Sequence, residues 1–225
     1  RVGKLLDAHR LLSLNSCYGQ KNTLSSALLT IDNEILRILL KLPETVSPSQ
    51  VNEAVSFLEA SGIVGIKSYV GIIRSFQFVE QQETDANTIY EIERYSAQSE
   101  ERGDIVAQAV ELLSASILDM RNKAYARAHI HAHNAALLAE KVHSDYLAEA
   151  GSILAVVASF MLGELPKEGR TRWIVNSSLY AVYQVILNAM DSFSGSRPSM
   201  ETETLTSSIP QDALWLLRAL LQGIG

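Results

Sequence analysis

Cysteine is nearly missing from this chain: of 225 residues, only Cys17 carries a thiol. A single thiol excludes an internal disulfide and any multi-cysteine metal centre, and a lone cysteine is more often a small apolar residue than a nucleophile. Basic charge is in deficit as well. Nineteen Lys and Arg against twenty-five Asp and Glu give a formal net charge of -6, which disfavours a long electrostatic track along nucleic acid or anionic lipid. Long apolar runs are lacking too. Stretches such as Ile153-Leu154-Ala155-Val156-Val157 fall well short of the roughly 20 residues that a membrane-spanning helix needs. Gly62, Gly65 and Gly71 are spaced for turns and not for a phosphate-cradling loop, and no serine stands in a Gly-x-Ser-x-Gly setting. The sequence therefore assigns no catalytic, cofactor-binding or metal-ligating residue. It opens on Arg1 and not on methionine, as expected of a fragment or a processed product.

What is present is apolar and helix-forming. Apolar residues make up 47% of the chain and charged residues 20%, which predicts a folded core over most of the length. The mean hydropathy of +0.08 is high for a freestanding domain, an excess that a partner surface or a generous core would explain.

Residues 1–82 are expected to form a first, helical and winged-helix-like domain. Leu5, Leu6, Leu11, Leu12 and Leu14 suggest an opening helix. From Leu24 to Leu42 the apolar residues recur at mixed three and four spacing, with Asp32 or Asn33 as an interruption or cap. Ser47-Pro48 reads as an N-cap followed by proline at the first helical position. The helix it starts carries Val51, Ala54, Val55 and Leu58 and stops at Ser61-Gly62. Beyond the glycine, Ile63, Val64 and Ile66, then Ile72, Ile73, Phe76, Phe78 and Val79, flank Lys67–Gly71. Strong β-formers on both sides of a glycine-containing turn predict a hairpin.

Helix, proline turn, helix and hairpin is the order of a winged-helix module, which residues of about 30–80 resemble. They depart from it in leaving no room, between Pro43 and Pro48, for the short middle helix. The resemblance implies DNA binding, yet the expected recognition helix presents Glu53 and Glu59 and no Lys or Arg from Ser49 to Ile66, which starves it of phosphate contacts. Lys67 and Arg74 on the wing are the bases left for phosphate. A wing that docks on protein is the favoured expectation, with Tyr69, Phe76 and Phe78 as apolar anchors.

Residues 83–190 are expected to be a bundle of four or five helices. The stripe from Ile105 to Met120 covers about four turns. Further helices are expected at Asn122–Val142, Asp145–Leu162 and Thr171–Met190. Residues 191–209 read as a linker or loop, and 210–225 as a terminal amphipathic helix with Trp215 and Leu221 as further interaction residues. No second copy of a repeat motif is apparent.

The segment Arg127-Ala128-His129-Ile130-His131-Ala132-His133 draws attention to chemistry. In a helix His129 and His133 share a face while His131 points elsewhere. Glu140, the next ligand on that face, lies roughly 10 Å further along the axis at about 1.5 Å per residue, so three ligands of this helix cannot close on one ion. Ala124, Ala128, Ala132, Ala135 and Ala139 fall on one face, which predicts close approach of a neighbouring helix. Arg127 and His133, with five residues between them, resemble the arginine-to-histidine motif of HEPN ribonucleases, helical bundles that cut RNA at a dimer cleft. Ala128 stands where that family commonly has a polar residue.

The sequence thus predicts a mostly α protein with a small winged-helix-like α+β unit before a helical bundle. It predicts a non-catalytic protein-protein interaction module for scaffolding, assembly or regulation of a complex, in the cytoplasm or nucleus. The expected partner is another protein or a second copy of the chain, with nucleic acid unlikely, no membrane span and no cofactor. A HEPN-like ribonuclease and a winged-helix DNA-binding regulator are the alternatives.

Overall fold

In the computed structural model, residues 23–40, 46–81, 85–164, 179, 182–184 and 186–187 are described. Among them there are seven helices and no strand. They are α1 (Leu24–Leu40), α2 (Pro48–Ala60), α3 (Val64–Gln81), α4 (Ala86–Arg102), α5 (Ile105–Arg121), α6 (Tyr125–Lys141) and α7 (Asp145–Met161).

Local chemistry sets several of these boundaries. Ser47 caps α2 in a capping box with Gln50, and Pro48 occupies the first turn, where its missing N–H needs no partner. Asp85 and Asp104 cap α4 and α5 by accepting from Thr88 N at 2.6 Å and Ala107 N at 3.1 Å. Neither Asp32 nor Asn33 interrupts α1. Asp32 accepts from the Tyr69 hydroxyl of α3, and burial raises its carboxyl above the usual range. Arg37 of α1, also buried, donates to Glu34 at 2.7 Å and pairs with Glu80 of α3.

The expected hairpin is absent. Residues 64–81 form the single helix α3, so these residues make no wing and the winged-helix unit is withdrawn. Ile66, Val70 and Ile73 stand at i, i+4 and i+7 and are buried against α1 and α2. This helical period outweighs the β-propensity of the isoleucines, which measures fit to a pleated, half-buried surface. Gly71 is not a turn either. It lies inside α3 at a point where an added Cβ would overlap the Glu111 carboxyl of α5.

From α4 onward the chain keeps a strict cadence. The helices α4 to α7 are each 17 residues long, and the residues that end them with positive φ, Gly103, Lys123, His143 and Gly163, stand 20 apart. The same closing bond recurs at each turn. Asp104 N donates to Ser99 O, Ala124 N to Asp119 O, Ser144 N to Ala139 O and Glu164 N to Ser159 O, all at 2.9 to 3.0 Å. This is the Schellman closure, which satisfies carbonyls that a helix end would otherwise leave open.

These short turns make consecutive helices antiparallel neighbours, and contacts also run from α3 to α5 and from α5 to α7. One row is therefore α3, α5 and α7, and the other α4 and α6. Burial follows the rows. In α5 every residue from Leu113 to Met120 is buried, and α7 is buried from Ile153 to Ser159, whereas α4 and α6 each bury one face. The buried face of α6 is Ala128, Ala132, Ala135, Ala136 and Ala139. Its backbone meets α7 so closely that a Cβ on Gly151 would lie 2.8 Å from Ala132 O. Leu179, Val182, Tyr183 and Ile186 pack into the same core.

Candidate functional site

The alanine face fixes the rotation of α6 and thereby aims its polar residues. Arg127 and His131, four residues apart, lie over α5, where Asp119 has a fully buried side chain. Arg127 Nε donates to Asp119 Oδ1 at 3.0 Å and its Nη2 reaches the same oxygen. His131 Nδ1 lies 2.9 Å from the other oxygen, Oδ2. On its far side, His131 Nε2 stands 3.5 Å from Glu93 Oε1 of α4. Four residues from three helices thus form one line, Arg127–Asp119–His131–Glu93, from the half-exposed guanidinium to the partly exposed carboxylate. Chemically, it fixes the imidazole orientation and satisfies both oxygens of a buried carboxylate.

Of the other two histidines, His129 faces α7. His129 Nδ1 lies 3.1 Å from Ala155 O and 3.1 Å from Ser159 Oγ. Its ring stacks parallel to His133, with centroids 6.1 Å apart. Arg127 and His133 leave α6 in different directions: six steps of about 100° separate them by roughly 240° around the axis. The arginine of the ribonuclease-like spacing is engaged with Asp119, and through it with His131.

A second buried cluster joins α3, α4 and α5. Glu111 is fully buried, and neither of its carboxylate oxygens has a hydrogen-bond partner among the described residues. Burial pushes its pKa up to about 8, against weaker downward pulls from Ser99 and Arg102. Arg102 donates to Ser68 Oγ of α3 at 3.0 Å and to Ser99 Oγ at 3.3 Å. At the other end of α5, Arg121 donates to Val79 O of α3 at 2.8 Å, and burial lowers its pKa.

The aromatic residues expected on a wing occupy the interior side of α3. Tyr69 and Phe76 are partly buried against the α1–α3 core, and Phe78 packs beside Ile89, Ile92, Ala115 and Leu118. Lys67 is exposed, while Arg74 donates to Asn52 at 3.2 Å and to Gln77 at 3.3 Å. Trp215, Leu221 and Cys17 lie outside the described residues, as do 191–209. Among the described residues no group of three or more His, Cys, Asp or Glu converges to hold a metal, and no helix is long and apolar enough to cross a membrane. Asp119 and Glu111 were not singled out from the sequence, although each is an acid set in the apolar stripe of α5. No family model matches this chain, and no curated protein or solved structure matches it.

Proposed function

We propose that this chain is a non-catalytic, protein-binding scaffold of stacked helices that acts in the assembly or regulation of a complex. The observation that carries the reading is apolar exposure on the half-buried row: Tyr90 of α4 is 68% exposed, and Ile130 and Leu137 of α6 are 55% and 43% exposed. Ile130 and Leu137 are seven residues apart and share one face of α6, away from the alanines that bury it. Large apolar side chains held in water on rigid helices are favourable anchors for a partner surface. The net charge of -6 supports a protein partner over nucleic acid.

The test compares natively purified wild type with the double variant Ile130→Asp/Leu137→Asp by light scattering and mass spectrometry of bound material. Circular dichroism serves as the check on folding. The reading expects a homo-oligomer or a stoichiometric protein partner that the variant loses. An unaccompanied monomer, or association unchanged in the folded variant, would overturn it. Bound RNA that the wild type cleaves and Arg127→Ala does not would replace it with the ribonuclease reading.

A further inference from the structure

We propose that the first part of α3 is clasped onto α4 and α5 by the uncharged form of Glu111 and released when that carboxyl ionises, with Phe78 and Val79 as the hinge. Ser68, Gly71 and Ser75 of α3 are buried and lie three and four residues apart, so they form one stripe. At about 100° per residue, that stripe stands opposite Ile66, Val70 and Ile73, which close the α1–α3 core. It therefore looks toward α4 and α5, the other helices that α3 touches.

This side of α3 changes character along its length. Its first part is polar or bare. Ser68 Oγ accepts from Arg102 of α4 at 3.0 Å, Gly71 leaves its space to Glu111, and the buried Ser75 hydroxyl has no hydrogen-bond partner among the described residues. The last part is apolar. Phe78 and Val79 pack beside Ile89 and Ile92 of α4 and Ala115 and Leu118 of α5, and Arg121 holds Val79 O at 2.8 Å. Apolar burial is indifferent to pH, so the far end stays docked while the near end answers to the state of Glu111.

Glu111 makes the near end conditional. Fully buried, with neither oxygen hydrogen-bonded among the described residues, it is tolerated as an acid and costly as a carboxylate. Burial accordingly holds its pKa at about 8, over weaker downward pulls from Ser99 and Arg102, while Asp104 adds to the rise. Tyr95 of α4 also borders Gly71; burial raises its phenol above the ordinary value, so it stays neutral below pH 8. From α3 the facing groups are the hydroxyls of Ser68 and Ser75.

Opening at the Ser68–Ser75 end admits water to Glu111 and returns it toward its ordinary pKa of 4.5. Between about pH 4.5 and 8 the closed form then keeps a proton that the open form releases. Closure weakens as pH rises through that window, by up to about tenfold in the opening equilibrium per pH unit, and no further above it. The inference is independent of the partner-binding reading.

The test is native-state hydrogen exchange read by mass spectrometry at pH 5.5 and 7.5, with rates corrected for the intrinsic pH dependence of amide exchange. Residues 64–75 should open at least tenfold more at pH 7.5 than at pH 5.5, and at both pH values more than α6 and α7 do. Glu111→Gln should make the opening of 64–75 independent of pH. An opening constant shared by α3, α6 and α7 would overturn the clasp, since it reports global unfolding. So would an opening of 64–75 that ignores pH in the wild type, or a pH response that persists in folded Glu111→Gln. Should Glu111→Gln fail to fold, the comparison of α3 with α6 and α7 across pH in the wild type is decisive by itself.

Discussion

Glu111 of α5 fills the space that a side chain at residue 71 of α3 would need. A Cβ on Gly71 would overlap Glu111 Oε1 and stand 3.3 Å from Tyr95 Cβ of α4. Glycine is retained in mid-helix, at a helical propensity penalty of about 1 kcal/mol, because three helices meet there. Gly71→Ala and Glu111→Ala should therefore be non-additive. Gly71→Ala alone destabilises the protein, and the same change in the Glu111→Ala background does so by at least about 0.5 kcal/mol less, the scale of coupling between touching residues. Urea unfolding of the two single variants and the double variant measures the difference.

The same acid sets a pH dependence. Its folded-state pKa is raised from 4.5 to about 8, so between those values the folded protein retains a proton that the unfolded chain has lost. The contribution is fully present below about pH 4.5, declines as pH rises and is gone above about 8. Charged neighbours are Arg102 of α4, which opposes the shift, and Asp104 at the head of α5, which reinforces it. Glu111→Gln should flatten the decline in urea midpoint between pH 5 and 8 and leave the variant more stable than wild type at pH 8. Parallel curves for the two proteins would refute the assignment.

Gly151→Ala tests the α6–α7 approach. There the added Cβ would meet backbone, Ala132 O at 2.8 Å and Ala136 N at 2.9 Å, and backbone cannot rotate aside. A loss of about 1–3 kcal/mol is expected from such overpacking, read as a lower Tm, and it should exceed the loss for Gly71→Ala.

Lys123 and His143 hold positive φ of 59° and 54° at turns where Gly103 and Gly163 do the same without a Cβ. Lys123→Gly and His143→Gly should each stabilise the protein by about 1 kcal/mol, the scale of the left-handed penalty for a residue with a side chain. Chemical denaturation reads the gain directly. Gly103→Ala should have the opposite sign.

Arg127 and His133 should separate in their effect on stability. Arg127→Ala removes two N–H donors from the buried Asp119 carboxylate, a loss of about 1–2 kcal/mol after allowance for the half-exposed guanidinium. His133→Ala removes an exposed ring and should change the melting temperature little.

The helices were legible wherever local chemistry and periodicity agreed. Ser47-Pro48 marked the start of α2 correctly, and the apolar stripe from Ile105 to Met120 coincides with α5. Residues 64–81 misled because isoleucine, valine and glycine favour a hairpin locally. The choice was made by α1 and α2, to which the i, i+4, i+7 positions of Ile66, Val70 and Ile73 are fitted. The array was illegible for another reason. Its repeat lies in turn geometry and spacing, and Gly, Lys, His and Gly at the four positive-φ sites share no side-chain signature. The line through Asp119 combines residues 93, 119, 127 and 131, and only the stacking of α4, α5 and α6 brings the first of these to the last. An acid within the apolar stripe was the signal available, and it marks Asp119 and Glu111 alike.

A step of 20 residues reverses the direction of the chain and moves it from one row to the other. Inserting one such step within α4–α7 would therefore exchange the environments of every helix beyond it, placing the broadly apolar α7 where α6 meets solvent. A step of 40 restores both direction and row. The smallest change of length that this array can absorb without turning itself inside out is a pair of helices, and a single inserted helix would be a change of fold.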